Sequence, residues 1–202
     1  MLSLVTGQPP ALRARRELTF LLQLAYSGEL AAARAYVGHR ASVSDPTERA
    51  DIGRIAREEL QHRHCLLAML RRLGAAPLPE RERKMDLVGR AISWLCQVGG
   101  WFVPMYGAAR LEAQNIQEYT LAARLAHAAG LADFVEPLLE MAEVEWDHER
   151  YFREQAMRHP LWRLAPHWPA PPPRAQLRED HAHFVTTGAL LLPAVRPALL
   201  VR

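Results

Sequence analysis

The apolar positions of this chain recur with helical period over long stretches divided by turn-forming residues. From about Leu12 to Arg40, the residues Leu18, Leu21, Leu22, Ala25, Ala32, Ala33 and Tyr36 form a broad inward stripe, which predicts a long helix. The run Ser44-Asp45-Pro46-Thr47-Glu48 predicts the start of a second: Asp45 can cap, Pro46 suits the first helical position, and Glu48 can complete a capping box. That helix is expected to reach about Leu73, with Gly74 as its C-terminal cap. After Pro77 and Pro79 an intermediate helix is predicted from Glu80 to Val98, ended by Gly99, Gly100 and Pro104. A third core helix is predicted from about Pro104 to Ala129, stopping at Gly130. A fourth runs from Asp133, read as a cap with Glu136 three residues on, to a point before Pro160.

The inward stripes carry charge, in one order used twice. Glu29 is followed seven residues later by Tyr36, and then comes Glu59-Leu-Gln-His62; Glu112 is followed by Tyr119, and then comes Glu145-Trp-Asp-His148. Seven residues is two helical turns, so each Glu shares a face with its Tyr, and the three-residue Glu-to-His step also keeps both side chains together. Short connections at 41–45 and 130–133 predict two antiparallel hairpins. Counted from Val43, Glu29 lies 14 residues back while Glu59 and His62 lie 16 and 19 forward; counted from Leu131, Glu112 lies 19 back while Glu145 and His148 lie 14 and 17 forward. All six therefore sit at one depth.

The expected fold is all-α, a four-helix bundle whose second and third core helices run parallel and are joined by a long helical crossover. The intermediate helix, about 27 Å long at 1.5 Å per residue, is what carries the chain back. The bundle is assigned to residues 11–160. Residues 161–202 read as a Pro-rich strap, extended around Ala170-Pro-Pro-Pro173, and an apolar end that could form a short helix from Phe184 to Leu200.

Four carboxylates and two imidazoles at one level are a donor set for two metal ions, which explains how so many acids can converge in an apolar interior. Glu29 and His62 are expected to serve one ion and Glu112 and His148 the other, with Glu59 and Glu145 shared. Iron or manganese suits such oxygen and nitrogen donors. Tyr36 and Tyr119 are the candidate catalytic residues, each placed to orient a carboxylate or a water beside the metals. Glu58, Glu140 and Glu143 read as solvated-face residues, and His39, His64, His127 and His159 as surface or capping residues. His181 and His183 lie outside the bundle.

With 202 residues, half of them hydrophobic, the chain can bury a substantial core. Its two cysteines, Cys65 and Cys96, form no CxxC pair, so neither a disulfide framework nor a Cys-ligated iron centre is expected, and a reducing cytoplasm fits. The formal charge of +3 comes without a basic stretch interleaved with aromatics, which argues against nucleic acid as a partner. No signal peptide is read at the N-terminus. The uncharged run of residues 91–109 contains Trp94, Leu95, Val98, Trp101, Phe102 and Val103; its glycines and Pro104 favour a buried or membrane-surface segment over a spanning one. The small residues Ala25, Ala32, Ala33, Ala108 and Ala109 leave space near the ligand level.

These motifs resemble the ferritin-like di-iron carboxylate superfamily over about Leu12 to Arg158. The segment from Gly28-Glu29 to Tyr36 is similar to the first-helix motif of rubrerythrins and of demethoxyubiquinone hydroxylases, Glu59 to His62 and Glu145 to His148 to the second and fourth ligand helices, and Glu112 to the third. The resemblance implies a ferritin-like bundle holding two iron ions. It implies an oxidoreductase that uses O₂ and an external electron-donor protein, a monooxygenase hydroxylating a small apolar, quinone-like substrate, with peripheral membrane contact through the apolar run. The histidine-tyrosine pair of the demethoxyubiquinone hydroxylase third helix is not evident near Ile116 and Tyr119. The alternatives are a rubrerythrin-like peroxidase or a ferroxidase, acting on peroxide or O₂, and a non-catalytic metal-binding bundle. A homodimer is compatible with any of these. An access channel is expected to open near Trp101 and Phe102, and a purely structural metal site predicts none.

Overall fold

Asp45 Oδ1 accepts the backbone N–H groups of Thr47 and Glu48 at 2.8 and 2.9 Å, which starts one helix and ends the turn from another. In the computed structural model, which describes residues 9–188, this turn joins α1 (Pro10–Ser42) to α2 (Pro46–Arg72). α3 (Pro79–Val98), α4 (Phe102–Ala128) and α5 (Ala132–Met157) follow, then a 3₁₀ turn (Pro160–Leu164) and α6 (Arg174–Thr187). No strand occurs among the described residues.

Two predicted stops have the geometry that only glycine adopts cheaply. Gly74 and Gly130 have φ of 71° and 72°, and the residue after each donates back to a helix carbonyl, Ala75 to Leu70 and Leu131 to Ala126, both at 2.9 Å. Other boundary expectations fail. Glu48 does not close a capping box; its Oε2 accepts the Trp101 indole N–H at 2.9 Å. Asp133 is no cap either, because α5 already starts at Ala132, and its carboxylate pairs with Arg72 across the hairpin at 2.9 Å. Pro104 does not begin its helix but lies within the first turn of α4, where a missing N–H costs nothing.

The directions of the helices follow from cross-contacts. Arg63 on α2 donates to the Tyr26 carbonyl and Arg49 to the Val43 carbonyl, so α1 and α2 are antiparallel. Tyr36 donates to Glu112 and Tyr119 to Glu29, so α1 and α4 are antiparallel as well, and α2 and α4 therefore run parallel. The chain returns between them through α3, which lies along α1 in the same direction. Their approach is close at two glycines. A Cβ on Gly89 would meet the Ala31 carbonyl oxygen at 2.7 Å, and one on Gly38 would meet that of Ser93 at 1.9 Å.

Two apolar clusters fill the bundle. One contains Leu18, Leu22, Leu66, Leu70, Phe134 and Leu138; the other contains Tyr36, Ile52, Ile55, Met105 and Phe152. Each fully buried aliphatic or aromatic side chain contributes about 1.5–3 kcal/mol. The buried carboxylates lie in the layer between the clusters, held at fixed depth by apolar packing on both sides.

The segment after α5 is pinned to the bundle. Tyr106 donates to the Pro166 carbonyl at 2.6 Å, Trp146 to that of Pro172 at 2.7 Å, and Trp168 to the Glu149 carboxylate at 3.1 Å. α6 buries Leu177, His181 and Phe184, and Arg178 reaches Glu143 at 2.6 Å and Glu136 at 2.8 Å. The extended stretch around Pro171 to Pro173 is as predicted, but the helix after it begins ten residues earlier than expected. Positions 189–200 of the predicted terminal helix lie outside the described residues.

Candidate metal centre

The four long helices each bring a carboxylate to the middle layer. Glu59, Glu112 and Glu145 have no exposed surface, and Glu29, His62 and His148 are buried with them. Their donor atoms form two groups that could each hold a metal ion: Glu29, Glu59, His62 and Glu145, and Glu59, Glu112, Glu145 and His148. Glu59 and Glu145 belong to both. His62 Nδ1 lies 3.0 Å from Glu145 and 3.8 Å from Glu29, while His148 Nδ1 lies 3.2 Å from Glu59 and 3.4 Å from Glu145.

The protein's own hydrogen bonds leave this layer unsatisfied. Both carboxylate oxygens of Glu59 and of Glu145, Oε2 of Glu29, and the Nδ1 atoms of His62 and His148 are buried without a hydrogen-bond partner. An unpaired buried polar atom costs about 1–3 kcal/mol, more when charged. Carboxylate oxygens and imidazole nitrogens aimed at common points suit a divalent ion such as iron or manganese.

Without a cation, burial pushes the Glu29 carboxyl far above its usual range, aided by the charge of Glu59, and pushes Glu112 up likewise, aided by Glu145. Glu59 is pushed up to about 7 and Glu145 is raised, again chiefly by burial. Burial lowers His62. Burial opposes the charge on His148 too, but the neighbouring carboxylates of Glu145, Glu58 and Glu59 overcome it and raise the group well above its ordinary 6.5.

The tyrosines cross over between hairpins. Tyr36 of α1 donates to Glu112 Oε1 of α4, and Tyr119 of α4 donates to Glu29 Oε1 of α1. Each hydroxyl thus orients a carboxylate of the opposite hairpin. Burial and the neighbouring carboxylates raise both phenols well above 10.

Four polar residues have roles that the sequence did not reveal. Glu58, read as a solvated-face residue, accepts from His148 Nε2 at 2.8 Å and is itself held at about 2 by that bond and by Arg54. Asn115 donates to Glu112 Oε2 at 2.7 Å, one turn along α4. His39 is buried, not a surface residue, because it lies one turn beyond Tyr36 on the same stripe and stacks against both Tyr36 and Phe152. That spacing was the available signal. Glu143 is also buried and binds Arg178 of α6, so it is neither solvated nor aimed at the centre. His159 does cap, accepting the Leu161 N–H at 3.2 Å, while His64 and His127 are exposed. Among the described residues, His181 and His183 join no group of three potential ligands.

A cavity of about 450 Å³ reaches the centre from one side. It lies between α1, α3 and α4, touches Glu29, Tyr36 and Tyr119, and is walled mainly by apolar residues such as Leu24, Met85, Ile92 and Leu111. Ala25, Ala32 and Ala108 line it as expected, but Ala33 and Ala109 are buried in the core away from it. Its surface residues include Leu95, Val103 and Gly107. Trp101 and Phe102 do not line it; they stack on His159 at 5.9 and 5.0 Å, which draws them towards the strap.

Fold and site together define a helical bundle with a buried Glu/His cluster able to hold metal. No family model, curated protein or solved structure matches the chain.

Proposed function

We propose that this protein is a di-iron, O₂-dependent oxidoreductase that hydroxylates a small apolar, quinone-like substrate. The observation that carries this reading is the apolar cavity that passes over Glu29, Tyr36 and Tyr119. A metal ion with a purely structural task needs no such access. Bound iron would supply the activation of O₂, a chemistry that no side chain here provides. The chain supplies the rest. Glu29, Glu59, His62, Glu112, Glu145 and His148 would hold the two ions, Tyr36 and Tyr119 fix two of the carboxylates, and the apolar walls exclude water from the substrate.

Electrons would come from a separate donor protein, a reading supported by Cys65 and Cys96 being free and forming no pair to hold a Cys-ligated redox centre. Anaerobic titration with ferrous iron is expected to saturate at two ions per chain. With a reductant and a short-chain benzoquinone, O₂ uptake should then match hydroxylated product. Uptake without product would favour the peroxidase or ferroxidase reading, and zero iron bound would remove the enzyme altogether.

The cavity mouth adjoins an exposed apolar ridge formed by Leu87, Trp94, Leu95, Val98 and Val103, at 53–67% exposure. No helix among the described residues is long and apolar enough to cross a membrane. A ridge of this kind, flanked by Arg83 and Arg90, suits peripheral contact with a lipid surface from which an apolar substrate could enter. Co-sedimentation with anionic vesicles should fall on Trp94→Asp. Equal recovery of both proteins in the supernatant would refute membrane contact.

A further inference from the structure

The cavity is long, and its two ends differ. Its lining runs along α1 from Leu24 to His39, a span of about 22 Å at 1.5 Å per residue, whereas a sphere of equal volume would be only about 10 Å across. At the His39 end the walls are Ile92, Leu95, Cys96, Val103 and Pro104. Arg81 and Lys84 of α3 stand toward the Leu24 end and Glu118 of α4 lies next to Tyr119, and these three are the charged lining residues besides Glu29.

Arg81 carries a second signal, because its Nε is buried with no hydrogen-bond partner. Burial lowers the pKa of this guanidinium against the attraction of Glu118, and burial likewise raises Glu118 against the attraction of Arg81. Two opposite charges lining one cavity favour a polar head that both donates and accepts hydrogen bonds over one that is itself ionic.

We propose that Arg81 and Glu118 form the head-group recognition point of the cavity, and that its ligand is an elongated, single-chain amphiphile with a hydroxyl head. The oxygen of the head accepts from Arg81, its proton is donated to Glu118, and the chain extends past Tyr36 toward Leu95 and Val103. This rests on the reading of the cavity as the substrate channel. It adds the orientation of the ligand and two residues outside the metal centre that choose it.

The test is calorimetric titration of the manganese-loaded protein with 1-decanol, decanoate and 1-adamantanol. Decanol is expected to bind at least tenfold more tightly than either the anionic or the compact probe. Arg81→Met and the near-isosteric Glu118→Gln should each weaken decanol about five- to tenfold, the loss of one hydrogen bond to a charged group. Gly107→Leu, at a position on the cavity wall where a Cβ meets nothing within 4 Å, should block decanol. Decanoate or adamantanol binding best would overturn the ligand class. Unchanged decanol affinity in both polar variants would overturn the head-group assignment while leaving the apolar-substrate reading intact. Failure of all three probes to bind a protein that still takes up two metal ions would overturn both ligand proposals and spare the metal centre.

Discussion

The two hairpins supply near-identical candidate ligands but differ in what surrounds them. In the α4–α5 half, Glu112 is held by Tyr36 and Asn115, and His148 is held by Glu58, so both ligands have partners behind them. In the α1–α2 half, Glu29 is held by Tyr119 alone. The position equivalent to Asn115 is Ala32, and the position equivalent to Glu58 is Val144. Glu29 also lines the cavity, which Glu112 does not. The repeat thus builds one braced half and one that faces the cavity. A carboxylate with fewer partners can move when something binds next to it, so the open side and the weakly braced side coincide.

The largest expected effect comes from a residue common to both halves. Glu59→Gln should abolish binding of two metal ions, not one, as read by metal analysis after gel filtration, because Glu59 belongs to both donor groups. Retention of a single ion would break the shared-ligand arrangement. A smaller effect should separate the halves. Loss of a carboxylate behind a ligating histidine typically costs ten- to a hundredfold in affinity. Glu58→Gln is therefore expected to weaken one of two sequential manganese binding steps by about tenfold and leave the other unchanged; equal weakening of both would show that the halves are not independently braced.

The smallest effect is a pH dependence of stability. Glu29, Glu59, Glu112, Glu145 and Glu118 are raised on folding, so the metal-free native state binds more protons than the unfolded chain from the ordinary 4.5 upward, to about 7 for Glu59. Their contribution falls as pH rises through that window. His148, raised above 6.5, extends the same trend upward. His62 and His39 are lowered, His39 to about 4, and so add stability as pH rises towards 6.5, against five acids acting the other way. The melting temperature of the metal-free protein should drop between pH 5.5 and 7.5. Metal binding displaces those protons, so the manganese-loaded protein should show the opposite slope. A metal-free melting temperature that climbs over this range would contradict the unsatisfied acid layer.

Much of the fold was legible because it is local. Apolar periodicity, Asp45, Gly74 and Gly130 each act within a few residues, and the helix limits match to within a few positions. The failures were at groups with distant partners. Asp133 and Glu136 had the spacing of a cap, but Arg72 and Arg178 take them, from 61 and 42 residues away. Trp101 looked like a channel wall, yet Glu48 and His159 hold it.

By itself the sequence determined the elements and the depth of the six ligands, since a helix converts residue number directly into height and face. Only the tertiary structure decided which tyrosine meets which carboxylate, that Glu58 rather than solvent stands behind His148, and that one side of the acid layer opens into a cavity. Those features depend on which helices are neighbours and on the space left where alanines and glycines face each other. Neither is written in the period of any single helix.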